Sequence, residues 1–406
     1  VSDSHAQEPA QDWTGRTLEL DIERVAHGGH CVARSDGRVV FVRHTLPGER
    51  VRAVVTEDGG GSFCRADAVE VIEAAPGRVA PPCEYAVPGG CGGCDWQHAD
   101  PATQRELKRA VVAEQLQRLA GIDWDGAVED VAPGPLHWRT RMQYAVDGDT
   151  VGLREHRSAR VIPIERCLIA EPDVDVTVAA PYADRPVTSV ELAAGERPVV
   201  AQTVDRKRRR HTVSGGDQMH HVRGRDFQVS AGGFWQVHPT ATDVLAGTVS
   251  EYADAQPGER VLDLYSGVGL FAATLGEQVG QSGSVLALEG HAGAVRDARH
   301  NLHDLPQARS ERLDVRAAAL QRRLGDDEYD VTVLDPPRSG AKPALCEVIA
   351  RRTRRVIVYV ACDPAALARD LAAFADAGWR LADLRAFDLF PMTHHVECVA
   401  RLVPAG

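Results

Sequence analysis

The chain has 406 residues, a formal net charge of −12, 44% apolar and 26% charged side chains, and nine cysteines. No apolar run approaches the roughly 20 residues needed to cross a bilayer, which excludes helical membrane spans. The acidic total argues against a nucleic-acid surface that is basic throughout and leaves any such contact to local patches. The first residues, VSDSHAQEPAQDW, have neither the basic start nor the apolar core of a secretion signal. Nine cysteines in that setting point away from a disulfide framework, toward metal binding or catalysis in the cytoplasm. The length favours two or three domains.

Residues 1–13 read as a disordered tail. From 14 to 73, short alternating runs (TLELDIERV, RVVFVRHTL, ERVRAVVTE, CRADAVEVIEA) are separated by glycine-rich turns. Closely spaced strands with no helical period predict a small β-barrel. A segment from 74 to 239 follows. It begins with CEYAVPGGCGGCDWQH, in which Cys83, Cys91 and Cys94 stand as C-x7-C-x2-C. A C-x2-C pair among glycines lets two thiolates face one metal, and Cys167 is the nearest fourth candidate. Four thiolates fit either zinc or an iron–sulfur cluster.

PATQRELKRAVVAEQLQRLA, residues 101–120, predicts an amphipathic helix ended by Gly121, its arginines and lysine forming a solvated face. Arg139 and Arg141 alternate on one face of an expected strand, where they contact phosphate or are ordinary exposed charges. The run Arg206 to Arg210 is a solvated loop or one of the few strongly positive patches.

From about 240 the pattern is a helix followed by seven strand candidates, the first five separated by helices. This predicts a parallel α/β sheet closed by an antiparallel hairpin. The first strand runs into Asp263-Leu-Tyr265-Ser-Gly267-Val-Gly269 and the second ends in Glu289. Glycines at a strand-to-helix turn admit a ligand close to the backbone, and an acid there binds ribose hydroxyls. The absent third glycine disfavours a dinucleotide and suits S-adenosylmethionine. The fourth strand ends in Asp335-Pro-Pro-Arg338. The fifth, Val356 to Ala361, ends at Cys362, with Asp363 as cap and Pro364 as first residue of the next helix. A thiol at that strand end and helix N-terminus is expected to have a lowered pKa, or else is simply core.

Together these residues resemble the bacterial RNA uracil-C5 methyltransferases that make 5-methyluridine in ribosomal or transfer RNA. ERVLDLYSGVG, LDPPRSG, YVACDPAALARDL and LFPMTHHVECV look like that family's catalytic motifs, residues 14–73 like its TRAM barrel, and the four cysteines like its [4Fe–4S] ligands. The resemblance implies a class I S-adenosylmethionine-dependent methyltransferase domain over 240–406. It implies Cys362 as nucleophile, Glu397 as base and Asp335 beside both cofactor and uracil. Gln236, Tyr265, Gly267, Gly269, Glu289, Asp314 and Asp335 match cofactor-contact positions. It further implies an RNA partner, no membrane association and a monomer. Phe234 stacks on a base or fills the core. Departures are Ser266 for the family's cysteine, Leu270 for its asparagine, Asp363 for the asparagine after the nucleophile, and the wide Cys83–Cys91 spacing. Competing readings are a cytosine-C5 methyltransferase and a non-catalytic RNA-binding protein. Cys31, Cys64, Cys346 and Cys398 are assigned to the core.

Overall fold

The computed structural model describes residues 12–182, 186–195 and 200–406; most of the expected tail lies outside them. The chain forms two compact units. The first contains residues up to Val111 together with Leu153–Ile162 and Pro391–His394, and the second contains the remainder.

In the first unit, β1 (Thr17–Asp21), β2 (Arg24–Val25), β3 (Cys31–Ser35), β4 (Arg38–Arg43), β5 (Arg50–Asp58) and β6 (Phe63–Glu73) form a six-stranded sheet. Its order is β1-β5-β6-β4-β3-β2, and only β4 and β6 pair in parallel. Alternation sets the faces: Leu18 and Leu20 of β1 and Val51, Ala53 and Val55 of β5 all point into one core. Cys31 and Cys64 lie in that core, as expected. So does Trp13, whose backbone N–H donates to Asp58 Oδ2 at 2.8 Å. Trp13, at the end of the stretch read as tail, is therefore part of the fold. Buried Glu49 holds the end of the sheet by accepting from Leu46 N at 2.8 Å and Arg78 Nη2 at 2.7 Å.

The helix α1 (Pro101–Ala120) forms at the expected bounds. Lys108, however, is fully buried, so the basic residues of α1 are not one solvated face. After β7 (Val128–Glu129) come β8 (Arg141–Asp147), β9 (Thr150–Arg154), β10 (Val161–Pro163), α2 (Val176–Ala179), β11 (Val187–Ala193), β12 (Val200–Asp205) and β13 (Arg210–Ser214). These strands form a second sheet in the order β10-β9-β8-β11-β12-β13. Arg139 precedes β8, so it does not alternate with Arg141 along a strand. Arg141 is turned inward with Nη1 donating to Gly233 O, and burial pushes its pKa down to about 10. The basic run 206–210 is exposed, a turn leading into β13, and its Arg209 and Arg210 pair with Asp205 and Glu191. A hairpin, β14 (Gln218–Val222) with β15 (Arg225–Val229), leads to α3 (Ala241–Ala253).

The remaining elements alternate: β16 (Arg260–Leu264), α4 (Leu270–Val279), β17 (Ser284–Glu289), α5 (Ala292–Asn301), β18 (Ala308–Arg312), α6 (Ala317–Leu324), β19 (Tyr329–Leu334), α7 (Pro343–Arg352), β20 (Thr353–Ala361), α8 (Pro364–Asp376), β21 (Trp379–Phe387) and β22 (Glu397–Pro404). Their sheet runs β18-β17-β16-β19-β20-β22-β21-β7, with β7 as an eighth strand at the edge. The five strands β16 to β20 are parallel, and β22 is antiparallel to both β20 and β21. Along β20, Val356, Val358 and Val360 enter one core while Ile357, Tyr359 and Ala361 enter another. Burial on both faces is why this strand reads as an unbroken apolar run. The carboxyl ends of β16, β17, β19 and β20 thereby share one edge, where open α/β sheets bind ligands.

Candidate active site

Ala361 pairs with Cys398 across the β20–β22 ladder, so the next position of the same register sets Cys362 opposite Glu397. Asp335 follows the end of β19, the neighbour of β20, and its N–H donates to Leu264 O at 3.3 Å. Strand pairing thus brings the three proposed catalytic groups to one strand-end cluster. Glu397 is only 3% exposed. Burial, reinforced by the Asp335 carboxylate and partly offset by Arg338, pushes its pKa well up. Burial also raises Asp335. Two buried carboxyls that act on one another resist joint ionisation.

The thiol departs from expectation. Burial, followed by the Glu397 and Asp335 carboxylates, pushes Cys362 up to about 12, with Arg338 pulling the other way. The helix N-terminus does not offset this because Asp363 occupies it: its Oδ1 accepts from Ala366 N at 2.7 Å, as the cap reading anticipated. In the ligand-free arrangement the thiol is protonated.

Arg338 Nη2 lies 3.4 Å from His395 Nε2, whose ring meets Phe390 edge-on at 5.9 Å. His394 is committed within the first unit instead, its Nδ1 2.7 Å from Asp95 Oδ2. The two histidines precede β22 and do not lie on it.

The expected cofactor positions surround the ends of β16 and β17. Gly269 caps α4 at φ 91°, and Gly267 stands at φ 53° with no heavy atom within 4 Å of where a Cβ would sit. That open backbone suits a ligand in close approach. Glu289 Oε2 accepts from Gly267 N at 3.1 Å and Oε1 from His291 N at 2.7 Å, which fixes the carboxylate beside the glycine turn. Tyr265, also at positive φ, donates to Val315 O at 3.2 Å. Asp314 is exposed and paired with Arg316 at 2.8 Å, and Gln236 is half-buried. Phe234 is 71% exposed, which removes it from the core. These donors and the open turn fit an adenosine-bearing cofactor.

Two residues escaped the sequence reading. Asp263 is fully buried beside Asp335 and Glu289, and burial raises its pKa strongly, with the Ala272 backbone N–H pulling the other way. Asp370 accepts from Ala341 N at 2.6 Å, Lys342 N at 3.0 Å and the Tyr359 hydroxyl at 2.6 Å, tying α8 and β20 to the loop after Asp335-Pro-Pro-Arg338. The signal was an acid among Leu367, Leu371 and Phe374 on the buried face of α8.

The cysteine loop is less assembled than expected. Cys91 Sγ accepts from Gly93 N at 3.3 Å, and Cys94 Sγ from Gln97 Nε2 at 3.3 Å. Cys83, Cys91 and Cys94 belong to the first unit and Cys167 to the second. Among the described residues, no group of three or more His, Cys, Asp or Glu side chains is arranged to hold a metal ion. Spacing nominates ligands, but the loop path decides where the sulfurs lie. Cys346 and Cys398 are buried, as expected.

The sheet order and the glycine turn define a class I S-adenosylmethionine-dependent methyltransferase, preceded by a TRAM domain whose family model matches residues 13–68. Residues 217–403 match the model for tRNA (uracil-5-)-methyltransferases. An RNA methyltransferase of Streptomyces avermitilis is 48% identical, covering 97% of this chain and 99% of the relative. A 23S rRNA (uracil(1939)-C(5))-methyltransferase of Alkalilimnicola ehrlichii is 32% identical, covering 94% and 95%. The solved Pyrococcus abyssi tRNA (uracil-54, C5)-methyltransferase, in complex with S-adenosyl-L-homocysteine, shares the fold at TM-score 0.71 and 22% identity, covering 95% of this chain and 99% of that one. The chain belongs to the family of S-adenosylmethionine-dependent RNA uracil-C5 methyltransferases. No described helix is long and apolar enough to cross a membrane.

Proposed function

We propose that the chain methylates C5 of a uridine in ribosomal or transfer RNA, using Cys362 as nucleophile and Glu397 as base. The observation that carries this reading is the β20–β22 register that sets Cys362 opposite Glu397 with Asp335 beside them. Uracil C5 is too weak a nucleophile to take a methyl group unaided. Addition of the Cys362 sulfur to C6 makes C5 enolate-like and nucleophilic. When bound, S-adenosylmethionine supplies an electrophilic methyl group at a sulfonium centre. C5 accepts that methyl, Glu397 removes the C5 proton, and the C6–S bond breaks to restore the double bond and release the thiol. Gly267, Gly269, Tyr265, Glu289, Asp314 and Gln236 would hold the cofactor, with Asp335 between cofactor and uracil. Because the free thiol is held protonated, its proton must leave as the sulfur attacks. The ionised carboxyl of the Asp335–Glu397 pair is the acceptor at hand. It must pass that proton on to solvent before Glu397 takes the C5 proton, which returns to the sulfur as the thiol is released. The target base must leave its stack to reach the strand edge, and exposed Phe234 is suited to stack on it or a neighbour.

Ribosomal RNA is the first substrate to offer, because the 32% identical relative is named for it. The test is tritium release from unmodified RNA labelled at uracil C5, with ribosomal and transfer RNA supplied separately. Cofactor-dependent release that disappears in Cys362→Ala supports the reading. Release from cytosine-labelled RNA instead would move it to cytosine-C5 chemistry. RNA binding with no release from either label would leave a binding protein.

We further infer a [4Fe–4S] cluster on Cys83, Cys91, Cys94 and Cys167. Support comes from the soft donor set in a glycine-rich loop and from the N–H groups directed at the sulfurs of Cys91 and Cys94. No catalytic step runs through it. Iron and acid-labile sulfide near four each per anaerobically purified chain would support it, and zinc or no metal would overturn it. A cytoplasmic monomer completes the reading, tested by fractionation and by sedimentation.

A further inference from the structure

Arg43, the last residue of β4, is only 8% exposed, yet among the described residues its Nη2 atom has no hydrogen-bond partner and its guanidinium enters no ion pair. A buried charge of this kind is normally paired, since desolvation without compensation is costly. Its neighbour in register on β6, Asp67, feels its charge without forming an ion pair with it, and burial outweighs that attraction and pushes the carboxyl's own pKa up. Arg43 instead lines a cleft of about 410 Å³, formed entirely within the first unit by the β4–β6 sheet, Gly89–Gly90 and the 155–158 turn. Two histidines line the same cleft, His30 and His156, with ring centroids 5.6 Å apart and each with a buried, unpartnered Nε2. Burial, together with Arg43, holds both down at about 4. The acids on the rim are occupied: Glu57 pairs with Arg65 at 3.1 Å and Arg157 at 3.2 Å, and Glu155 with Arg160 at 2.9 Å.

The buried Asp95 carboxylate also acts on Arg43 and both histidines, but its Oδ2 is taken up by His394 at 2.7 Å, which leaves the three donors facing the cleft open to an anion from outside. We propose that Arg43, His30 and His156 form a subsite for one backbone phosphate of the RNA substrate. The proposal rests on the RNA reading given above. RNA is favoured over an acidic or phosphorylated protein by what adjoins the cleft: Phe63 is 44% exposed, with the Arg65 guanidinium 5.3 Å over its ring. A cation, an exposed aromatic face and a phosphate pocket side by side match a nucleotide's phosphate and base.

The full-length protein would be compared with Arg43→Met, His30→Gln and an exposed control, Arg380→Met. Binding of unmodified ribosomal and transfer RNA would be titrated against salt by filter retention, independently of methyl transfer. Removing one phosphate contact is expected to weaken RNA binding about tenfold at low salt and to flatten the slope of log K against log [salt] by roughly 0.7–0.9, with the control unchanged. Arg43→Met is also expected to leave the melting temperature equal or higher, since it removes an unpaired buried charge. Inorganic phosphate should raise the melting temperature of the wild type but not of Arg43→Met. In methyl transfer, KM for RNA should rise with kcat unchanged. An unaltered salt slope in both cleft variants would overturn the proposal. So would stabilisation by phosphate with RNA binding untouched, which would make this a free-phosphate site. So would a cleft-dependent affinity for a phosphopeptide in place of RNA. If Arg43→Met does not fold, Arg43→Lys, which keeps charge but not the fork geometry, gives the same readout at smaller amplitude. Wild-type RNA binding with a cleft-dependent slope but no methyl transfer would mark failure of the catalytic reading alone.

Discussion

Cys362 directly follows and Glu397 directly precedes the last β20–β22 pair, Ala361 with Cys398, so the proposed nucleophile and base both adjoin one hydrogen-bonded strand end. A site built on strand ends is pre-organised, and the chemistry assigned to each residue separates cleanly in variants. Cys362→Ala should form no RNA adduct and show no turnover. Glu397→Gln should add its thiol and pass the methyl but fail to eliminate, lowering turnover about 10²–10⁴-fold. A protein–RNA band that survives denaturing electrophoresis should therefore accumulate in Glu397→Gln and be absent from the double variant. No band in Glu397→Gln would place proton removal elsewhere.

The same carboxyl makes a stability prediction. Its folded pKa lies above the unfolded value, so its favourable contribution is complete below about pH 4 and is lost as pH rises toward the folded value. Glutamine mimics the protonated form at every pH. Glu397→Gln should thus match the wild type near pH 4–5 and exceed it at pH 8, by about 1–3 kcal/mol for the unit containing the sheet. Melting curves at the two pH values check the sign. A variant less stable at pH 8 would mean the ionised carboxylate is the stabilised form.

Much of this was legible in the chain, and what was missed has physical causes. The apolar run Val356 to Ala361, the Asp363 cap and Pro364 specify a strand-to-helix corner through local propensity alone, and it formed as read. The thiol's pKa did not follow, because its direction is set first by burial and then by Glu397 and Asp335, all of which depend on sheet order and not on the local sequence. The eighth strand, β7, has two residues and carries no periodic signal; it exists because β21 offers an edge. Lys108 matched a solvated helical face by composition but is buried by tertiary packing. The four-cysteine set was nominated from spacing, which says which thiols are close in sequence but not where their sulfurs point.

Arg338 is the one cation among the groups acting on the thiol, and it draws the Cys362 pKa down against the carboxylates. Arg338→Gln should therefore raise that pKa further. At pH 8 to 9, iodoacetamide should alkylate Cys362 several-fold more slowly in the variant, and the alkaline rise of kcat/KM should move to higher pH. Mass mapping of the modified cysteine makes the measurement specific. Faster alkylation would show that Arg338 acts by shielding the thiol.

Glu289 is held by Gly267 N and His291 N, so it shapes the turn as well as offering oxygens to a ligand. Glu289→Ala should lose both functions and weaken binding of S-adenosyl-L-homocysteine at least tenfold by calorimetry, about 1.4 kcal/mol or more. Glu289→Gln keeps one acceptor and should lie between. Unchanged affinity in both would remove this strand end from the cofactor site.

The Asp370 carboxylate anchors Ala341 N, Lys342 N and the Tyr359 hydroxyl in a buried network just behind the Asp335-Pro-Pro-Arg338 loop. Gly340 lies in the same place at φ 76°, and a Cβ there would come 2.5 Å from Asp370 Oδ2. The loop that carries Asp335 and Arg338 is thus pinned from beneath by one side chain. Asp370→Ala strands three donors and should cost about 3 kcal/mol or more, while Tyr359→Phe removes a single bond and should cost about 1 kcal/mol. The informative variant is the mild one. Tyr359→Phe should stay folded and bind S-adenosyl-L-homocysteine normally, yet lower kcat, because the loop is held less tightly and Asp335 and Arg338 spend less time in register with Cys362. If Tyr359→Phe loses stability with no change in kcat at a temperature where it is fully folded, the network supports the fold and does not position the site.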